Sequence, residues 1–156
     1  MLLGLLLAAS TLDVPYVPQV KDTCGAAALA MVMRYWGDDV THDEIAGRLL
    51  QKDLHGIRGS ALQALAAERG LTAIAYAGDL DQLRTYLDKG RPQVVAWKLG
   101  RRFHDVVVVG FDAGTRELVV HDPAVGPARR VAEKEFEKRW GGASHWTLLV
   151  LPKPPS

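Results

Sequence analysis

A single cysteine, Cys24, stands among 156 residues. One thiol excludes an internal disulfide, and with it every zinc site that takes two or more thiolates from one chain. Five histidines remain, but neither with Cys24 nor among themselves do they show a paired metal-ligand spacing, so no cofactor is expected. Net charge is also scarce: 19 Lys and Arg oppose 18 Asp and Glu, leaving +1. That balance argues against a strongly basic nucleic-acid surface and against an acidic disordered chain. Repeats, low-complexity blocks and long linkers are missing too. The sequence is 48% apolar and 24% charged, ordinary for a globular domain. Its length fits one domain that buries a core without covalent staples.

The first ten residues, MLLGLLLAAS, carry an apolar run from Leu2 to Ala9. It is far too short to span a bilayer. Small residues at Ala8 and Ser10 resemble an export cleavage site, although no Lys or Arg precedes the leucines. Residues 1–10 therefore read as a signal peptide, or else as an apolar N-terminal arm, and residues 11–156 as one domain. The signal reading places the mature chain in the periplasm or outside the cell, with one unpaired thiol in an oxidising compartment. Without it the chain is cytoplasmic.

Four helices come first. Residues 24–36 place Leu29, Val32, Met33 and Trp36 at three- and four-residue spacing, with Gly37 as a stop and Asp22 or Thr23 as a cap. Thr41 and Glu44 form a capping box for a second helix. Ser60 and Gly70 bracket a third, and Leu80, Leu83 and Leu87 give one face of a fourth, stopped by Gly90. Residues 72–77, TAIAYA, already read as a strand before the fourth helix, and short Val-rich runs dominate the rest: 92–99, 104–112, 117–123 and 145–151. A hairpin loop joins 104–112 to 117–123, and a short amphipathic helix over 132–140 precedes the last strand. Helices followed by an antiparallel sheet make the class α+β.

Cys24 begins a helix, where unpaired backbone N–H groups and the positive end of the dipole stabilise a thiolate. Gly25 leaves room for a substrate to approach the backbone. A nucleophilic thiol needs a basic partner, and His104, opening its strand at a sheet edge, is the best placed. Asp122 lies on the following strand. A turn near 113–114 sets it beside His104, as the group that orients the ring. Gln19, on the loop entering the first helix, can join the Cys24 N–H as a donor to an oxyanion.

The segments VPYVPQVKDTCGAAALAMVMRYWG, HDVVVVGFD and VVHDPAVG closely resemble the C39 peptidase family, papain-like cysteine peptidases best known as the double-glycine leader peptidases of bacteriocin exporters. The resemblance runs from about Val14 to Leu151. It implies a papain-like fold, with N-terminal helices packed on an antiparallel sheet. It also implies a peptide or protein substrate and, by motif, Cys24 as nucleophile, His104 as general base and acid, Asp122 as orienter and Gln19 as oxyanion donor. Gln19 stands one residue nearer the cysteine than in exporter-linked members, a spacing that stand-alone relatives share. Asp105 stands where an aromatic residue is common. The chain reads as a stand-alone form with no transporter segment, so leader specificity is not carried over with the motif. An export or secretion protein is the natural partner, and no stable membrane span is expected in the mature chain.

Two other functions fit the same motif: a peptide-binding domain that has lost turnover, and a Cys-dependent amidase or transferase. Strand alternation sends Asp105 to solvent on the face opposite His104. His121 reads as structural, His42 as solvated, and His55 as a surface residue of a polar loop. Residues 128–140, ARRVAEKEFEKRW, read as a charged, exposed helix.

Overall fold

The computed structural model describes residues 11–155, so the expected signal segment lies outside the described residues. These hold five α-helices and six strands: α1 (Cys24–Tyr35), α2 (His42–Leu49), α3 (Gly59–Glu68), β1 (Thr72–Ala77), α4 (Leu80–Asp88), β2 (Gln93–Leu99), β3 (Arg102–Asp112), β4 (Glu117–Asp122), β5 (Gly126–Ala132), α5 (Glu133–Gly142) and β6 (Trp146–Leu151). A single 3₁₀ turn, Lys52–Leu54, links α2 to α3. The strands form one sheet in the order β1-β6-β2-β3-β4-β5, each paired antiparallel to its neighbours.

Both faces of this sheet are covered, which explains its sequence. Val94, Val107, Val109, Val119, Leu148 and Val150 pack under α1, α2 and α3. Val95, Trp97, Val106, Val108, Leu118 and Val120 pack against Leu83 and Leu87 of α4 and Phe136 and Trp140 of α5. A strand buried on both sides needs apolar residues at every position, and Val106–Val109 is such a run. The N-terminal helices do pack on an antiparallel sheet, as expected; α4 and α5 add a third layer.

Helix α1 lies inside the molecule. Gly25 through Met33 are all buried, because β3, α2 and α3 enclose it. An Ala-rich helix suits this position: small side chains let neighbouring elements approach from every side. Gly37, with φ at +90°, ends the run as expected. Caps also form at Thr41, which accepts from the Glu44 N–H at 3.2 Å, and at Asp79, which accepts from Gln82 at 2.8 Å. Ser60 instead lies within α3, whose first turn has no side-chain cap.

The β3–β4 hairpin departs from the expected register. Its turn spans 113–116, with Asp112 opposite Glu117. Continued evenly, that register would face Asp122 toward Val107 and the α1 side of the sheet. A bulge between Val108 and Gly110 shifts the pairing by one residue, so that His121 meets Val107. An extra residue exchanges the faces of all that follows. Asp122 thereby comes to the His104 side, diagonal to it rather than directly opposite. His104 is also the third residue of β3, not its first, and pairs across with Trp97 of β2.

Residues 128–132 belong to strand β5 instead of the start of an exposed helix. It is a sheet edge whose Arg130 pairs with Asp112 at 3.0 Å and Glu117 at 3.3 Å. Charged residues suit an unpaired edge because they discourage a further strand from adding.

Candidate active site

Cys24, His104, Asp122 and Gln19 line one cleft of about 720 Å³. His104 enters from β3, Asp122 from the end of β4, Cys24 from the first turn of α1 and Gln19 from the segment before it. The firmest link is His104 Nε2 to Asp122 Oδ1 at 2.6 Å, between side chains only 12% and 10% exposed. The same Oδ1 accepts the Ala124 N–H at 2.9 Å. Nε2 is thus committed to Asp122, leaving Nδ1 for the thiol.

Burial alone would lower the His104 pKa. Its hydrogen bond to Asp122 and its interaction with the Cys24 thiol outweigh that and push it up to about 9. Asp122 moves the other way: burial would raise it, but the His104 hydrogen bond and charge, with the Ala124 N–H, hold its carboxyl below the usual range. Cys24 is half-buried. Its thiol interacts with the His104 ring strongly enough to help raise the ring's pKa.

The first turn of α1 keeps its donors free because its cap is diverted. Thr23 occupies the cap position, yet makes no side-chain bond to the helix. Its hydroxyl donates to Val20 O at 2.8 Å and accepts from Val20 N at 2.9 Å. The His42 Nε2 also lies 2.7 Å from it. His42 is therefore not solvated as its position in a helix start suggested; it buttresses the loop that carries Cys24. Among the described residues, the backbone N–H of Cys24 has no backbone acceptor, so it stays available. Gln19 donates one amide hydrogen to Val20 O at 3.3 Å, which leaves the other unused. Its Oε1 is buried with no partner among the described residues.

Gly25 is required for a different reason from the one expected. A Cβ there would lie 3.0 Å from Asp105 Oδ2 and 3.2 Å from Leu62 Cδ1. The space is filled from within the protein, not reserved for substrate. Asp105 does face away from His104, but toward α1 instead of solvent.

The segment before α1 locks the site together. The Leu12 N–H donates to Val109 O at the bulge, at 2.8 Å, and the Gln19 N–H donates to Pro123 O at 3.0 Å. The Tyr16 hydroxyl donates to Asp122 O at 2.9 Å. His121, 6% exposed, donates from Nε2 to Val14 O at 2.8 Å, while Nδ1 accepts from the Ala128 N–H at 3.0 Å. Burial keeps its pKa below the ordinary histidine value, against the pull of the Val14 carbonyl. His121 is structural, as expected. Tyr16 was not anticipated, and its only signal was a position near Gln19. Asp22 was missed as a cleft residue. Its backbone has φ at +63°, and its carboxylate meets His55 at 3.4 Å and Arg102 at 3.5 Å across the cleft.

Leu54, Leu99, Phe103 and Val125 line the cleft while 40–66% exposed. Lys21, Arg101 and Arg102 add positive charge. Among the described residues no group of His, Cys, Asp or Glu is arranged to hold a metal ion, and no helix is long and apolar enough to cross a membrane.

This architecture is shared. The peptidase domain of Streptococcus ComA, a bifunctional ABC transporter involved in quorum sensing, has a TM-score of 0.74 at 23% identity, covering 88% of this chain and 98% of that one. A double-glycine-motif protease from the AMS/PCAT transporter, crystallised with the leader peptide, superimposes with a TM-score of 0.75 at 25% identity, covering 92% and 95%. In sequence, the chain is 29% identical over 141 residues to the lactococcin-G-processing and transport ATP-binding protein LagD of Lactococcus lactis subsp. lactis, which covers 89% of this chain but 18% of LagD. It therefore spans under a fifth of that transporter's length. An uncharacterised protein of Methanothermobacter thermautotrophicus is 33% identical over 133 residues, covering 85% of this chain and 83% of its own length. The profile of the Peptidase_C39 like family matches residues 11–147. The chain belongs to this family and is a cysteine-type peptidase domain.

Proposed function

We propose that Cys24, His104 and Asp122 form the triad of a peptidase that works through a thioester acyl-enzyme. The observation that carries this reading is the 2.6 Å bond from His104 Nε2 to Asp122, on a ring shared with the only thiol. A ring with its pKa pushed up to about 9 keeps a proton at neutral pH, and the attacking form of Cys24 beside it is the thiolate. Sγ attacks the scissile carbonyl. The Cys24 N–H and the free Gln19 amide hydrogen bind the developing oxyanion. His104 then gives its proton to the leaving amine. The same ring, now neutral, takes a proton from water as water attacks the thioester, and the acid product departs. Asp122 holds the ring in orientation throughout.

The substrate is a peptide with small residues, such as Gly-Gly, before the scissile bond. Support comes from the AMS/PCAT relative crystallised with its leader peptide, and from an exposed apolar rim beside three cations, which suits a peptide with apolar and acidic side chains. We also propose that the protein acts outside the cytoplasm after loss of residues 1–10. Intact mass of exported protein is expected to begin near Thr11; a mass that begins at Met1 overturns this.

Activity is tested by incubating the protein with Gly-Gly-containing peptides and reading the products by mass spectrometry. Cleavage after the second glycine is expected, together with a thioester adduct that hydroxylamine releases. Loss of both in Cys24→Ala completes the result. Peptides bound but left intact would instead mark a silent binding domain. Amide transfer to an added amine in preference to water would mark a transferase.

A further inference from the structure

Asp105 takes no part in this scheme. It follows His104 on β3 and shares the face of Val107 and Val109 beneath α1. Its Oδ2 lies 3.0 Å from the position a Cβ would take on Gly25, next to the nucleophile. Burial pushes its pKa up to about 6, with the His104 charge pulling the other way, and no hydrogen bond contributes. A half-buried carboxylate without a donor is costly, and a ligand that brings one relieves the cost.

The carboxyl borders a second cavity of about 290 Å³. Ser60, Ala96, Phe103, Ala143 and Trp146 line it beside Asp105, and no other lining residue carries a charge. Phe103 belongs to both this cavity and the main cleft and is 66% exposed. The small cavity thus adjoins the cleft across Phe103, with an acid on one wall and two aromatic rings on others. Acid and aromatic walls together suit a cation on an apolar stem.

We propose that this chamber is a subsite for a basic side chain of the peptide, a lysine or arginine whose cation pairs with Asp105. The proposal rests on the peptidase reading above. Phe103 and Trp146 cover the methylene stem, and a chain lying in the main cleft sends one side chain past the exposed Phe103 into the cavity. Neutral residues of the same length leave Asp105 unpaired and bind less well.

The test uses acetyl-tetrapeptidyl vinyl sulfones, which alkylate the nucleophilic thiol. One position at a time carries Lys, norleucine or Glu. The second-order rate of Cys24 labelling is read by intact mass, with iodoacetamide as a sequence-independent control. At one position Lys is expected to label roughly tenfold or more faster than norleucine, with Glu slowest. Asp105→Asn is expected to cut the Lys-to-norleucine ratio to about twofold or less; a ratio cancels any change in thiol reactivity.

A second readout needs no variant. In the wild-type protein the same ratio is expected to fall as pH drops through about 6. Of the titratable groups around Asp105, His104 on β3 and Cys24 on α1 act on both labels alike. The walls from β2, α3, β6 and Ala143 just after α5 carry no charge. Equal rates for Lys and norleucine at every position, with all labels fast, would overturn the subsite and leave the peptidase standing. Slow labelling by every reagent, iodoacetamide included, would overturn the peptidase reading itself.

Discussion

Two carboxyls flank His104, one on each face of the sheet, and their fates differ. Asp122 accepts from the ring and from the Ala124 N–H, and its carboxyl is held below the ordinary range. Asp105 is the neighbour of His104 in sequence, yet among the described residues it has no donor, and its pKa rises to about 6. Proximity along the chain did not decide which carboxylate serves the imidazole. Strand alternation sent the adjacent one away, and one bulged residue brought the distant one across. The side with Asp122 is a closed network, complete without ligand. The side with Asp105 is open.

The sharpest way to break the contrast is to remove its closed side. Asp122→Ala is expected to lower kcat/KM by about 10²–10³-fold, the scale of a misplaced general base. The high-pH limb of the rate profile should also move down, since the His104 pKa loses its main upward influence. Peptide hydrolysis against pH reads both effects. A near-wild-type rate with an unmoved limb would show that Asp122 does not orient the ring.

The same network predicts a pH-dependent stability. The folded His104 pKa, about 9, lies above the ~6.5 of a free imidazole. Its contribution is therefore fully present below about pH 6.5 and lost as pH rises through about 9. Urea unfolding of the wild type and His104→Gln should differ most near neutral or mildly acidic pH, by roughly 2–3 kcal/mol. The two should converge above about pH 9, and a gap that widens with pH would contradict the account.

His121 gives the opposite sign on the far side of Asp122. Its folded pKa is depressed, so its share of stability is present above about 6.5, the free value, and declines as pH falls below it. His121→Leu strands Val14 O and the Ala128 N–H. It is expected to cost about 2 kcal/mol at neutral pH by urea unfolding and to weaken the loss of stability at acid pH.

The smallest effect probes the open side. Gly25→Ala should destabilise by about 1 kcal/mol, because the new methyl presses on Asp105 and Leu62. Much of that cost should vanish in an Asp105→Ala background. A double-mutant cycle with no coupling would place the crowding elsewhere.

The comparison also shows what was legible in the sequence. The helices and the Val-rich strands were, because burial on both faces demands unbroken apolar runs. The edge strand β5 was not: Arg129 and Arg130 are exposed there and face no core, so nothing in their pattern distinguishes them from the helix that follows. The four candidate site residues were found by motif, and the structure brings them to one cleft. The register that delivers Asp122 was misjudged, since a bulge leaves little mark on composition. Gly110, after four valines, was its one signal, because glycine inside a strand often marks a bulge. The direction of Asp105 followed from alternation, but its burial did not. That depends on α1 lying over β3, a long-range contact that local pattern does not encode.

The central claim is an activated Cys24–His104 pair, and the rate of Cys24 alkylation against pH tests it most directly. In the native protein, labelling is expected to stay fast well below pH ~8.5, the ordinary thiol value, and to lose that persistence in His104→Ala. Labelling that rises only near an ordinary thiol pKa, and that His104→Ala leaves unchanged, would contradict it.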